Sequence, residues 1–159
     1  MQYDRKITIS AGSNRRAMTW QAQTMLISEL WARLQAPARG TETLAAYLNM
    51  KKAQQDDLKD VGGFMAGTLS GPRRKANNVT GRDVITLDLD NIPSGGTEDV
   101  LRRVEALGCG YCIYSTRKHS PAAPRLRVLL PTDRTMTADE YEPCARKMAE
   151  YIGLELMDP

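Results

Sequence analysis

The sequence predicts an α+β fold, a sheet with helices on one face, preceded by a helical N-terminal extension over residues 1–62. Three observations lead there. Leu26, Leu30 and Leu34 recur four apart beside Trp31, which is a helix face. Apolar and polar residues alternate over Val84–Asp90 and again over Arg125–Leu130, the period of a strand with one buried face. From Asp83 onward the order reads strand, helix, strand, strand, helix and the start of a further strand. With 159 residues, 42% of them hydrophobic, the chain can bury one core and is read as a single domain whose sheet-based part spans 63–159.

Element by element, a short strand is expected at Arg5–Ser10 and a helix over Gln23–Leu34, which Pro37 and Gly40 end. Thr41 can cap a second helix that turns Leu44, Tyr47 and Leu48 inward, and the polar stretch Lys51–Lys59 continues as helix. Gly62-Gly63 stops it. Phe64–Leu69 has strand character before the basic turn Gly71-Pro72-Arg73-Arg74-Lys75 and the turn-prone Asn77-Asn78. The next strand puts Ile85, Leu87 and Leu89 on one face and Thr86, Asp88 and Asp90 on the other. After the loop 91–96, Thr97 caps a helix with Val100, Leu101, Val104 and Leu107 inward, closed by Gly108. Strands follow at Gly110–Ser115 and Arg125–Leu130, the latter with Arg125 and Arg127 opposite Leu126, Val128 and Leu130. Thr137-Ala138-Asp139-Glu140 spells a capping box for a helix running to Gly153.

Composition limits the function. A net charge of +3 with 26% charged residues is neither a polybasic tail nor a disordered segment. No window approaches ~18 consecutive apolar residues, and no apolar run follows the charges at the N-terminus, so no membrane span or secretory signal is expected and the cytoplasm is the expected compartment. Cys109, Cys112 and Cys144 make an odd set that suits reducing surroundings; Cys109 and Cys112 have the spacing of half a zinc ribbon, but no second pair exists and His119 is the only histidine. Basic side chains outnumber acidic ones over 71–134, whereas 135–159 is acidic, so an anion is expected at the middle of the chain.

Two clusters carry chemistry. Asp88 and Asp90 share a face at the end of an apolar strand that itself offers no cation beside them, a pattern that calls for a positive partner; hard cations such as Mg²⁺ or Mn²⁺ take such oxygen ligands, and simple solvation of the two acids is the plainer alternative. The second cluster is Ser115-Thr116-Arg117-Lys118-His119 followed by Pro124-Arg125-Leu126-Arg127, a collection of hydroxyl, imidazole and guanidinium donors suited to a polyphosphate. Arg73, Arg74, Lys75 and Arg82 are candidates for the backbone phosphates of a nucleic acid, or simply form a solubilising turn.

Thr86-Leu87-Asp88-Leu89-Asp90-Asn91, Tyr114-Ser115-Thr116-Arg117-Lys118-His119-Ser120-Pro121 and Pro124-Arg125-Leu126-Arg127-Val128 together resemble the primase-polymerase domains of the archaeo-eukaryotic primase superfamily, in the forms carried by phages and mobile elements and often fused to a virulence-associated-E-type helicase. Lys59-Asp60-Val61-Gly62-Gly63-Phe64 and Gly71-Pro72-Arg73-Arg74 extend the likeness. The resemblance implies an RRM-like, antiparallel or mixed sheet and a DNA-dependent primase-polymerase that joins nucleotides from nucleoside triphosphates by two-metal chemistry, for primer synthesis and extension in mobile-element replication. It implies that Asp88, Asp90 and Asp158 bind Mg²⁺ or Mn²⁺, and that His119, with Ser115 and Arg117, contacts the incoming triphosphate. Single-stranded DNA template and primer are the implied partners. The family pattern runs on past the position of Pro159, so a longer protein with a C-terminal helicase domain is expected. Two other readings stand beside it: a non-catalytic nucleic-acid or initiator-binding module on the same fold, and a haloacid-dehalogenase-like phosphohydrolase with Asp88 as nucleophile and Asp90 as general acid. The latter resembles a family whose Asp-x-Asp comes early in the domain, whereas this pair comes late.

Overall fold

The structure, a computed structural model, describes residues 3–157. Its elements in chain order are β1 (Lys6–Gly12), β2 (Gln21–Leu26), α1 (Ile27–Leu34), α2 (Leu44–Leu48), α3 (Lys52–Leu58), β3 (Gly63–Leu69), β4 (Val79–Leu89), α4 (Thr97–Glu105), β5 (Cys112–Ser115), β6 (Leu126–Met136) and α5 (Ala138–Ile152), with 3-10 turns at Ala76–Asn78 and Leu154–Leu156. The α+β class is as expected. The strands form a sheet in the order β2-β1-β3-β4-β6-β5, and the pairs β1/β2, β1/β3, β3/β4 and β5/β6 are antiparallel.

There is no helical N-terminal extension: the described chain opens on strands. Gln21–Leu26 pairs with β1 from Lys6↔Leu26 to Ala11↔Gln21. Leu26 is therefore the last residue of a strand and also the N-cap of α1, with extended dihedrals, and its N–H donates to the Glu29 carboxylate at 2.7 Å. The leucine spacing that suggested one helix crosses a strand–helix junction. β2 is an edge strand in which only Met25 is buried, so its period-2 pattern is faint, as polar edge strands tend to be. Four smaller expectations also change. Thr43, not Thr41, caps α2 by accepting the Ala46 N–H, and Leu48 of that short helix is exposed rather than inward. Gly96, not Thr97, is the N-cap of α4, which has no side-chain cap, and Leu154–Leu156 is a 3-10 turn rather than the start of a strand.

The chain divides into two compact units, Met1–Asp83 with Asp133–Thr135, and Val84–Thr132 with Met136–Pro159. In the first, Ile7, Ile9, Met25, Ile27, Leu30, Tyr47 and Met65 are buried. β3 and β4 approach so closely that a Cβ on Gly67, whose φ is +156°, would lie 2.0 Å from the Gly81 carbonyl oxygen, so only glycine fits there. This unit also holds a carboxylate that no sequence pattern singles out. Asp83 is 2% exposed; its oxygens accept from the Thr8 N–H at 2.8 Å, the Arg5 guanidinium at 2.9 Å and the Thr135 hydroxyl at 2.6 Å. Burial pushes its pKa up, but the bonds from Thr135, Thr8 and Arg5 outweigh burial and hold it below the usual carboxylate value.

In the second unit Ile85, Leu87 and Leu89 of β4, Val100 and Val104 of α4, Leu126, Val128 and Leu130 of β6, and Ala149 and Ile152 of α5 form one apolar cluster. The helices thus cover the apolar face of these strands. Period 2 then turns Asp88 of β4 and Asp90 just after it, and Arg125 and Arg127 around β6, to the other face.

Asp83→Ala should lower the free energy of unfolding by about 3 kcal/mol, because it leaves the donors of Arg5, Thr8 and Thr135 without their acceptor. Since the native pKa is depressed, this contribution is present above the unfolded-state value of about 3.9 and is lost as pH falls through the native value. Urea titrations from neutral pH downward should show a steeper acid loss in the native protein than in the variant. Parallel curves would remove Asp83 from this role.

Candidate functional site

The carboxyl end of β4 is where the second unit gathers its polar side chains. Arg127 Nε donates to Asp88 Oδ1 at 2.6 Å and its Nη2 to Oδ2 at 3.1 Å, a two-pronged pair. Arg125 Nη1 donates to Asp90 Oδ2 at 2.6 Å. A step of two residues forward on β4 meets a step of two back toward the start of β6, as antiparallel neighbours require. The acids therefore do have cations beside them, supplied by the neighbouring strand instead of their own. A single-strand reading misses this. The matched signal was in the sequence nonetheless: Asp-x-Asp on one strand and Arg-x-Arg on another are complementary at the same spacing.

Tyr114 of β5, opposite Arg127 in the β5/β6 register, accepts from Arg127 Nη1 at 3.4 Å and lies 6.0 Å, ring centroid to guanidinium carbon, from it. Burial by itself pulls the Arg127 pKa down; the Asp88 bonds and the Tyr114 contacts overcome it, and the net shift is upward. The side chains of Arg127 and Asp88 are 38% and 44% exposed, those of Arg125 and Asp90 35% and 27%. At such exposure, ion pairs are screened and contribute roughly 0–1 kcal/mol each.

His119 sits on the loop between β5 and β6. Its backbone N–H closes a turn on the Thr116 carbonyl at 2.9 Å, and its Nδ1 accepts the Arg125 backbone N–H at 3.1 Å. The same Nδ1 lies 3.3 Å from the Arg125 carbonyl oxygen, so the backbone of Arg125 holds the ring through this one nitrogen. The loop and the Asp90 partner are thereby coupled through one residue, Arg125. Thr116 N–H donates to the Arg125 carbonyl at 3.0 Å, which extends the β5/β6 ladder by one pair and places Thr116 on the Arg125 face. Ser115 is opposite Leu126 and so belongs to the other face, at an exposed strand edge. Of the two hydroxyls, the resemblance pointed to Ser115, but it is Thr116 that shares the face of Arg125. Arg117 is half-buried within the turn.

Two further loops converge on the end of β4. The Gly95 N–H donates to the Pro121 carbonyl at 3.1 Å, and Asn91 holds the end of the described chain, its N–H to the Leu156 carbonyl at 3.2 Å and its amide to that of Met157 at 2.6 Å. Asp158 lies outside the described residues. Among the described residues no group of three or more His, Cys, Asp or Glu is placed to hold a metal ion; Asp88 on β4 and Asp90 just past its end are a pair.

The expected nucleic-acid residues fall in the first unit. Arg73, Arg74 and Lys75 line a cavity there together with Arg15, Arg16 and Trp20. Arg82, paired with Gly67 in the β3/β4 register, is not among the residues lining it. Trp20 and Arg16 were missed because they stand in a loop with neither periodicity nor a motif.

All of residues 1–159 match the family model described as the VapE N-terminal domain. The chain belongs to that family. No curated protein and no solved structure matches this VapE N-terminal domain. Among its described residues no helix is long and apolar enough to cross a membrane.

The exposure of the β4/β6 ion pairs has a measurable consequence for this VapE N-terminal domain. Asp88→Asn and Asp90→Asn should each change the free energy of unfolding by no more than about 1 kcal/mol. Chemical denaturation of the two variants checks this; a loss of several kcal/mol would make the pairs structural.

Proposed function

We propose that this VapE N-terminal domain is the catalytic domain of a primase-polymerase. It binds a nucleoside triphosphate with Mg²⁺ or Mn²⁺ at Asp88 and Asp90 and joins the nucleotide to a primer or initiating 3′-hydroxyl on a single-stranded DNA template. One observation carries the reading: two carboxylates at a strand end, each held by a partly exposed arginine, with a loop histidine anchored on one of those arginines.

The donor set fits a hard divalent cation, which commonly takes one or two protein carboxylates and draws its remaining ligands from substrate phosphates and water. When bound, such ions supply the positive charge that activates the attacking hydroxyl and stabilises the leaving pyrophosphate. Asp88 and Asp90 would hold them, with Asp158 as the third acid that the family resemblance implies. Were Asp88 and Asp90 to hold such ions, Arg125 and Arg127 would be freed from them. Their guanidinium forks then face the incoming triphosphate, for which their planar donors are well suited. His119 presents its Nε2–H to a phosphate oxygen while Arg125 keeps its ring in place. The site exchanges one balanced set of charges for another, because a triphosphate accompanied by divalent ions brings both signs. A helicase domain following in a longer protein would be supplied with primers by this activity.

A second reading, a non-catalytic nucleic-acid or initiator-binding module on the same fold, is favoured by the fact that the arginines already balance the two acids without a metal.

Primer extension on a single-stranded template separates the two. Incorporation should require Mg²⁺ or Mn²⁺ and disappear in Asp88→Asn/Asp90→Asn, whose fold persists. His119→Ala should weaken nucleotide binding by on the order of 10- to 150-fold, the loss of one charge-assisted hydrogen bond. Metal-independent oligonucleotide binding with no incorporation under any condition would favour the module.

A further inference from the structure

We propose that the cavity of the first unit binds one nucleotide of a single-stranded nucleic acid, its base stacked on the Trp20–Arg74 pair and its phosphates held by Arg16, Arg73 and Lys75. The inference uses no residue of the β4/β6 site and does not depend on that site being catalytic.

The cavity measures about 350 Å³, at the small end of ligand pockets and sufficient for a single nucleotide. Its walls are the loop after β1, the segment around Asp60–Gly63 that leads into β3 and the loop after β3, the first and last joined where the Trp20 N–H donates to the Pro72 carbonyl at 2.6 Å. The indole is seated on bare backbone. A Cβ on Gly12 would lie 2.6 Å from Trp20 Cε2, so glycine there lets the ring pack directly on β1. The Arg74 guanidinium carbon is 5.4 Å from the ring centroid. An indole with a guanidinium over it is a platform that any base can stack on, whatever its sequence.

The charges around this platform are unequal in availability. Arg15 is committed: it meets Asp57 at 2.9 Å and Asp56 and Asp60 at 3.7 Å each. Asp60, the one acid lining the cavity, also accepts the Arg15 backbone N–H at 2.6 Å, so it is satisfied from within the loop. Arg16, Arg73 and Lys75 are exposed and have no carboxylate partner among the described residues. Three uncompensated cations around an aromatic platform are what a phosphate backbone with an unstacked base requires. A duplex presents no such base to a concave pocket, so the geometry points to a single strand.

The test uses the whole chain in a Trp31→Phe background, where Trp20 is the sole tryptophan, and a short labelled oligothymidylate as probe. The oligonucleotide should quench Trp20 fluorescence, and Trp20→Ala should weaken binding by roughly 5- to 150-fold, the worth of one stacked base. Arg73→Gln/Lys75→Gln should flatten the dependence of log affinity on log salt by roughly 0.7 for each phosphate that is no longer neutralised. Should Trp20→Ala fail to fold, Trp20→Phe, which keeps a ring over Gly12, and the double charge variant carry the test: the first should bind within a few-fold of native, the second should lose slope. Native affinity in Trp20→Ala, an unchanged slope in the charge variant, equal binding of duplex, or full displacement of the strand by an equal concentration of thymidine monophosphate would each overturn the proposal. Asp88→Asn/Asp90→Asn should bind the oligonucleotide normally, so failure of strand binding and failure of nucleotide incorporation are read separately.

Discussion

Two carboxylates on one face of a strand end repel each other, and the second unit resolves that repulsion across the sheet. Asp88 meets Arg127 and Asp90 meets Arg125, with bonds as short as 2.6 Å. The compensation is electrostatically complete but energetically shallow, since all four side chains remain in part exposed to water. A deep, dry set of pairs would fix the arginines permanently; a fully solvated set would leave them without direction. The observed intermediate is what the proposed function requires: pairs shallow enough to open, so that the acids could hold a metal and the arginines a phosphate.

What makes the arrangement dependable is the opposite face. Leu87, Leu89, Leu126 and Val128 are pinned in the apolar cluster under α4 and α5, so a register slip of β4 or β6 would bury charge and expose leucine together. Burying a Leu or Val side chain contributes roughly 1.5–3 kcal/mol, several times the worth of a surface ion pair. Packing therefore sets the register, and the register sets which carboxylate meets which guanidinium. In the first unit Asp83 works the other way: it is buried, met by three donors, and bound into structure, although it lies on the same strand as Asp88. Burial and its three donors separate Asp83 from the two partly exposed carboxylates further along the strand.

Legibility in the sequence followed strength of period. β4, α4, β6 and α5 were readable because their apolar residues recur at clean spacings and the capping box at Thr137–Glu140 marks a helix start. β2 was misread because a polar edge strand with one buried residue has almost no period, while the leucines continuing into α1 have a strong one. The faces of Asp88, Asp90, Arg125 and Arg127 were legible from alternation alone. Their mutual contact was not, because strand order is decided by tertiary pairing. His119 could be nominated by being the only histidine, but its anchoring on the Arg125 backbone is a property of a loop closure that no local pattern encodes. The same holds for Trp20, which gains its meaning from Gly12 beneath it and Arg74 above, residues drawn from separate parts of the chain.

The most direct measurement is a crystal structure of the domain with Mn²⁺ and a non-hydrolysable nucleoside triphosphate, read by the anomalous signal of the metal. The exchange of partners described above predicts a manganese peak at coordination distance from both Asp88 and Asp90, with Arg125 and Arg127 turned from the carboxylates to the phosphates. A triphosphate bound elsewhere while the Asp88–Arg127 and Asp90–Arg125 pairs stay closed would contradict it.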